Sequence, residues 1–312
     1  MDRSFVCKCL TAVYEEEKTL LRGPIHVKFD ITRNENFHIN IEQGEKRTIE
    51  ISTNSDVSVF KLNAILLKIE RLLMIFDGRF MQLQKLEFSE SDVFPSDHLV
   101  PCATNLMAQR LTYFSTADFC KNTIHRLIDF ENVLTTDLFN RWDELLDELG
   151  VVHQVFLYSV SDSKITIDVK CAFLIELSEP MVEIIKEKTH YFASLEPGSR
   201  GTSLKNCLNA LISKYGEEIF NKEFTSAYNP FLNALVNSRV NIMHIKRHQK
   251  EPTFDGMQAA LYAQKLSLLY RKILFELLEI DDSLYLEKLK SVVLTLDKWN
   301  SISDRFVNTL TK

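Results

Sequence analysis

Four stretches among the first 53 residues alternate apolar and polar side chains, and this feature constrains the fold more than any other. They are SFVCKCLTAVY (residues 4–14), PIHVKFDIT (24–32), NFHINIEQG (36–44) and KRTIEIST (46–53). Successive side chains of a strand point to opposite faces, so a period of two predicts strands with one face in a core and one in solvent. Gly, Pro and Asn residues lie between the stretches, which favours short antiparallel strands joined by turns.

A helix is predicted next, because apolar residues recur at steps of three and four from about residue 57 to residue 76. Gly78 should end it, since glycine readily adopts the left-handed conformation found just beyond helix ends. Alternation returns in RFMQLQKLEF (79–88), and RLTYFS (110–115) is a further candidate strand. These elements predict a β-rich N-terminal domain over residues 1–115.

Residues 116–312 are predicted to form an all-α domain, because steps of three and four residues dominate the rest of the chain. The predicted helices cover residues 117–134, 135–150, 170–192, 202–216, 229–250, 254–281 and 282–299, whereas residues 157–167 fit either a helix or a strand. Gly and Pro residues lie where these helices should end. The predicted fold class is therefore α+β, with an antiparallel sheet domain followed by a helical bundle.

Composition and charge exclude several classes of protein. A net charge of -6 argues against broad coating by nucleic acid, so any RNA contact must be local. Membrane insertion and secretion are not expected, because the sequence lacks a run of about 18 apolar residues and a signal peptide. The six cysteines lack zinc-binding spacing, so we expect free thiols and a reducing, cytoplasmic location.

The predicted helix over residues 229–250 carries the best candidates for chemistry. One of its faces is apolar, and the other is a ladder of amides and imidazoles formed by Asn233, Asn237, Asn241, His244 and His248. Arg239 lies within the apolar stripe, where an unpaired guanidinium would be costly. Arg239 must therefore bind a carboxylate, carbonyl groups or a phosphate.

Arg239 and His244 are about 140° apart on a regular helix, so they do not face each other directly. They can converge if the arginine side chain extends sideways, or if two copies of the helix meet at a dimer axis. A converged pair suits RNA cleavage. Histidine can move the proton of the 2′-hydroxyl or of the leaving oxygen near pH 7, while arginine binds the scissile phosphate. Neither step requires a metal or another cofactor.

The basic residues after His244 are candidates for binding the RNA backbone, and they are Lys246, Arg247, His248 and Lys250. Two simpler interpretations remain open. The same run is common at solvated helix ends, where positive charge suits the helix dipole. His244 and His248 are also one turn apart, so together with Asn241 they could hold a metal ion.

The stretch LVNSRVNIMH resembles the R-x4-6-H signature of the HEPN superfamily, whose helical domains occur in toxins, CRISPR effectors and abortive-infection proteins. The resemblance extends along the chain. A β-rich start, the helix LNAILLKIERLLMIFDG, the helical stretch CAFLIELSEPMVEII and a long closing helix are similar to the ApeA-like HEPN proteins of bacterial phage defence. In that family the motif forms a metal-independent ribonuclease site at a homodimer interface.

The resemblance implies a role for each residue of the motif. Arg239 would bind phosphate, His244 would act as acid or base, and Asn241 would assist catalysis. It also implies a cytoplasmic homodimer joined through the helical domain, cleavage that leaves a 2′,3′-cyclic phosphate, and a sensing or specificity role for the N-terminal domain. Val240 stands where the family usually has a polar residue. This departure keeps a noncatalytic RNA- or protein-binding module as the alternative.

Overall fold

The structure is a computed structural model of the 312-residue chain. It describes residues 5–15, 25–32, 35–78, 80–113, 126–161, 165–195, 203–244 and 252–299. Contacts between residues divide the chain into two compact units, residues 1–146 and 147–312. The predicted domain boundary between residues 115 and 116 lies outside the described residues and stays a prediction.

The first unit is built on a five-stranded sheet with strand order β2-β3-β4-β1-β5 and antiparallel pairing between neighbours. The strands are β1 (Val6–Glu15), β2 (Ile25–Thr32), β3 (Asn36–Gln43), β4 (Lys46–Ser58) and β5 (Gln82–Ser89). Buried residues alternate with more exposed ones along β2 and β3, as expected for strands with one face in a core. The predicted antiparallel sheet is therefore confirmed.

Helix α1 (Val59–Asp77) packs on this sheet. The Ser58 hydroxyl accepts a hydrogen bond from the Phe60 N–H at its start, and Gly78 ends it with a φ of 67°. Its buried face includes Leu62, Leu66, Ile69, Leu72, Leu73 and Phe76, all fully removed from solvent. Each such side chain stabilises the fold by about 1.5–3 kcal/mol relative to its exposed state, before entropy is counted.

Two predictions for this unit are wrong where the structure describes them. Residues 110–113, part of the candidate strand, form the last turn of α2 (Ser96–Tyr113), because a short alternating run is also compatible with a helix. Residues 126–134, expected to be helical, contain only the 3-10 turn Phe130–Asn132. There the Leu127 N–H donates to the Phe76 carbonyl at 2.9 Å, so a contact with the end of α1 replaces helical bonding.

Helix α3 (Thr136–Leu149) is attached to α1 by polar contacts. The Trp142 indole N–H donates to the Lys68 carbonyl at 2.8 Å, and the Lys68 ammonium pairs with Asp143. Trp142 is itself fully buried. These contacts explain why most of α3 belongs to the sheet-containing unit.

Helices make up the second unit. They are α4 (Val151–Val160), α5 (Ile167–Glu176), α6 (Ser178–Thr189), α7 (Leu204–Tyr215), α8 (Asn221–Ser226), α9 (Tyr228–Met243), α10 (Gly256–Leu277) and α11 (Leu286–Trp299). α10 packs against α4, α5, α7 and α11, and α5 also packs against α9. The predicted α+β class, with a sheet followed by a helical bundle, is confirmed. No helix in the described ranges combines the length and apolar character needed to cross a membrane.

Helix α10 is the central helix of this bundle, and its start is fixed by a capping box. The Asp255 carboxylate accepts from the Gln258 N–H at 2.8 Å, while the Gln258 side chain accepts from the Asp255 N–H at 2.9 Å. Further along, the fully buried Lys265 ammonium lies 2.9 Å from Glu223 of α8 and 3.0 Å from Asp297 of α11. One buried cation therefore ties three helices together.

Candidate active site

Helix α9 leaves the core towards its C-terminal end. Its first half is buried through Phe231, Leu232, Ala234 and Leu235, whereas residues 236–242 are half buried and Met243 and His244 are exposed. The helix ends at Met243, and the His244 N–H donates to the Val240 carbonyl at 3.1 Å. The predicted end near residue 249 is therefore wrong, because Pro252 does not determine where the helix stops.

Arg239 of α9 forms a fork with Glu176, the last residue of α5. Its Nη2–H donates to Oε1 of Glu176 at 2.6 Å, and its Nε–H donates to Oε2. The side chains keep 20% and 35% of their accessible surface, so the pair is partly open to solvent. The hydrogen bond to Glu176 raises the pKa of Arg239 above its ordinary value, which keeps the guanidinium charged.

His244 completes this arrangement. Nη1 of Arg239 lies 3.4 Å from Nε2 of the His244 imidazole. A guanidinium can only donate, so a hydrogen bond between the two side chains requires Nε2 as the acceptor. The two residues of the motif are thus brought together within one chain. They meet because the long Arg239 side chain extends sideways, the first of the two routes considered from the sequence.

Glu176 is the residue that sequence reasoning missed. It is 63 positions before Arg239, so no local spacing connects the two. The only signal was the physical requirement that a guanidinium in an apolar stripe must find a partner. The sequence predicted that Arg239 needs a partner, but it did not indicate which carboxylate that partner is.

A second carboxylate, Glu179 of α6, also acts on this site electrostatically. Burial raises the pKa of Glu179, the charge of Glu176 raises it further, and Arg239 lowers it. One guanidinium is therefore balanced against two carboxylates. This balance gives little net attraction for an anion, so the positive potential needed to draw in a phosphate must come from other residues.

Asn241 occupies a different environment from the other two predicted catalytic residues. It lines a cavity of about 230 Å³ between α5, α9 and the start of α10. Within the described part of the chain, no hydrogen bond joins Asn241 to Arg239 or His244. Lys246, Arg247, His248 and Lys250 lie outside the described residues. Their predicted RNA contacts therefore stay predictions, as does the metal site that would include His248.

Two hydrogen bonds attach the segment before α10 to α9. The Phe254 N–H donates to the Ser238 hydroxyl at 2.8 Å, and the Asn237 amide donates to the Pro252 carbonyl at 3.4 Å. Ser238 also donates to the Ala234 carbonyl at 2.7 Å. The chain that leaves α9 after His244 is thus held against the same helix again from residue 252 onward.

The fold and the site together define the class of protein. It is a helical domain in which an arginine and a histidine, five positions apart, meet at the exposed end of one helix. Residues 173–284 match the family model described as Apea-like HEPN. Residues 173–284 therefore form an ApeA-like HEPN domain, and within this segment the resemblance seen in the sequence is confirmed. The matched segment includes Glu176, Arg239 and His244. Comparisons with curated proteins and with solved structures gave no match.

Proposed function

We propose that this protein is a metal-independent endoribonuclease of bacterial phage defence, with Arg239 and His244 as its catalytic residues. The observation that carries the proposal is the 3.4 Å approach of Arg239 Nη1 to His244 Nε2 at the exposed end of α9. The HEPN domain match supports the nuclease and defence theme. A cytoplasmic homodimer joined through the helical domain, acting as an abortive-infection toxin, belongs to the same proposal.

The reaction needs no reagent beyond the RNA itself. Once the scissile phosphate takes the Nη1–H donor of Arg239, Nε2 of His244 is free to accept the proton of a 2′-hydroxyl, and the 2′-oxygen attacks the adjacent phosphorus. The bond from phosphorus to the 5′-oxygen breaks, and that oxygen takes the proton that His244 has accepted. The products are a 2′,3′-cyclic phosphate and a 5′-hydroxyl, with no net uptake or release of protons.

Arg239 stabilises the charge that builds on the phosphate in the transition state. Glu176 holds the Nε and Nη2 edge of the guanidinium and leaves Nη1 on the side of His244. An arginine already fixed in this way loses less side-chain entropy when substrate binds. Glu176 is therefore a positioning residue in this proposal, because it acts through Arg239.

In this proposal the basic residues after His244 attract the RNA strand. Glu176 and Glu179 offset the charge of Arg239, so this site alone would bind phosphate weakly. Lys246, Arg247 and Lys250 follow directly in the sequence and supply three positive charges, and His248 can add a hydrogen bond. Binding should consequently weaken steeply as salt concentration rises.

The second candidate is a noncatalytic HEPN-like module that binds RNA or protein. The fork between Arg239 and Glu176 favours it, because a satisfied ion pair can be purely structural. Val240, in place of the usual polar residue after the arginine, is consistent with the same view. The two candidates differ in whether His244 is needed for a chemical step.

The deciding experiment is cleavage of total RNA in EDTA by the purified wild-type chain, with analysis of the RNA ends. We expect wild type to leave cyclic phosphate ends and His244→Ala to lose about 100-fold or more of the rate. His98→Ala, which removes an exposed histidine of α2, is the matched control and should cut like wild type. Equal cutting by wild type and His244→Ala, or cutting that requires a metal, would refute the proposed mechanism.

A further inference from the structure

We propose that the cavity lined by Asn241 is a nucleobase site that prefers guanine in the RNA strand. This inference rests on the proposed function for its ligand class, although binding to the cavity requires no cleavage. The cavity has a volume of about 230 Å³. That is below the roughly 300–1,000 Å³ typical of sites for drug-sized ligands, so it suits one flat ring system better than a whole nucleotide.

Two polar side chains of the cavity suit the edge of a base, and Thr253 adds a hydroxyl to the same lining. Within the described ranges neither Asp168, in the first turn of α5, nor Asn241 of α9 takes part in a hydrogen bond. Ser238, also on the lining, already donates to the Ala234 carbonyl and accepts from the Phe254 N–H. The cavity therefore offers a ligand one carboxylate, which accepts when ionised, one amide, which donates and accepts, and the hydroxyl of Thr253.

This pair of groups matches guanine better than the other bases. The Watson–Crick edge of guanine carries two adjacent donors, N1–H and the N2 amino group, beside the acceptor O6. The Asp168 carboxylate can accept from both donors while the Asn241 amide donates to O6. Adenine and cytosine would place a ring nitrogen lone pair against the carboxylate. Uracil offers one N–H between two carbonyl oxygens, which the carboxylate would repel.

Apolar side chains complete the cavity. Phe254 lines it and stacks on Tyr262 of α10, with ring centroids 4.5 Å apart and planes inclined by 20°. Ala172 of α5 and Ile242 of α9 lie on the lining as well. Such surfaces suit the flat faces of a base, because single-stranded RNA is commonly bound by stacking its bases on protein side chains.

The cavity adjoins the catalytic pair along α9. Asn241 and His244 are three positions apart, which on a helix corresponds to about 60° of rotation and about 4.5 Å of rise. Residues with this spacing are neighbours on the helix surface. A base held by Asn241 would therefore belong to a nucleotide next to the phosphate at Arg239 and His244. The cavity would select where along the strand the RNA is cut.

The test measures binding of 3′-GMP, 3′-AMP, 3′-CMP, 3′-UMP and 3′-IMP to the full chain by calorimetry. Wild type should bind 3′-GMP about tenfold more tightly than the other standard nucleotides, and 3′-IMP, which lacks the N2 amino group, more weakly than 3′-GMP. Asp168→Asn should remove the preference. Asp137→Asn is the matched control, since Asp137 is an exposed first-turn aspartate of α3 that does not line the cavity, and it should keep the preference.

Failure of this inference can be told apart from failure of the proposed function. Equal binding of all nucleotides, or a guanine preference that persists in an Asp168→Asn protein with unchanged melting temperature, would overturn the cavity assignment. A preference that depends on Asp168 in a protein that does not cut RNA would support the cavity and reject the nuclease. If the chain does cut, mapping should show cuts beside guanine in wild type and scattered cuts in Asp168→Asn.

Discussion

Two paired cations of the helical unit differ in how much solvent reaches them. Lys265 and Glu223 are completely buried, and Asp297 keeps 12% of its side-chain surface. Arg239 and Glu176 keep 20% and 35%. Both are ion pairs between helices, yet only the second lies beside an exposed histidine.

The two ion pairs also differ in whether the cation has hydrogen-bond donors that a ligand can reach. The Lys265 ammonium donates to both oxygens of Glu223, lies 3.0 Å from Asp297 and is fully removed from solvent, so a ligand cannot reach it. The guanidinium of Arg239 has five donors, of which two bind Glu176 and one approaches His244. Full burial indicates a structural pair at Lys265, whereas spare donors and partial exposure leave Arg239 able to contact a ligand.

The largest effect should follow from breaking the buried ion pairs that Lys265 forms with Glu223 and Asp297. Lys265→Met leaves two carboxylates without their cation, and we expect a loss of about 3–5 kcal/mol in the free energy of unfolding. Urea unfolding would measure it, with Lys290→Met, at an exposed i,i+3 pair, as a control that should unfold like wild type. RNA cleavage per folded molecule should be unchanged. Unchanged stability would show that burial does not make this pair structural.

A smaller effect, on activity, is expected at the partly exposed pair of Arg239 and Glu176. Glu176→Gln removes the charge that orients Arg239, and we expect kcat to fall by about 10–100-fold because the guanidinium is misplaced. The unfolding free energy should change by no more than about 1 kcal/mol, as for other partly exposed pairs. Glu176→Asp, which keeps the charge, should recover part of the rate. A faster Glu176→Gln enzyme would mean that Glu176 blocks Arg239 instead of orienting it.

The smallest effect concerns pH. Burial, followed by the charge of Glu176, raises the pKa of Glu179 in the folded chain. The folded state thus holds this proton more tightly than the unfolded state, so its contribution to stability increases as pH falls through the folded pKa. Glu179→Gln should melt slightly above wild type at pH 7 and equally below about pH 4. Glu187→Gln, at an exposed position of the same helix, is the control, and a constant difference across this range would contradict the mechanism.

Local sequence patterns were sufficient for most of the fold. The alternation along β2 and β3 and the Gly78 stop of α1 depend on neighbours in the sequence, and both were predicted. Residues 126–134 were not, because the bond from Leu127 to Phe76 is a contact between distant parts of the chain. The end of α9 was also missed, since Pro252 restricts only the residue before it.

The candidate site also contains residues that local sequence could identify and one that it could not. Arg239 and His244 share one helix and could be found from spacing, and their physical requirements predicted a partner for the arginine. Glu176 could not be identified, because which carboxylate approaches Arg239 depends on how α5 packs against α9. Asn241 shares the helix as well, but its neighbours in the cavity come from α5 and the start of α10.

The bonds from Phe254 to Ser238 and between Asn237 and Pro252 have an evolutionary consequence. They anchor the chain on both sides of residues 245–251, so changes within that stretch need not disturb α9 or α10. Affinity for the RNA backbone, which the proposal assigns to Lys246, Arg247 and Lys250, can therefore diverge among descendants of this protein through mutations between the two anchors, while Arg239 and His244 keep their positions.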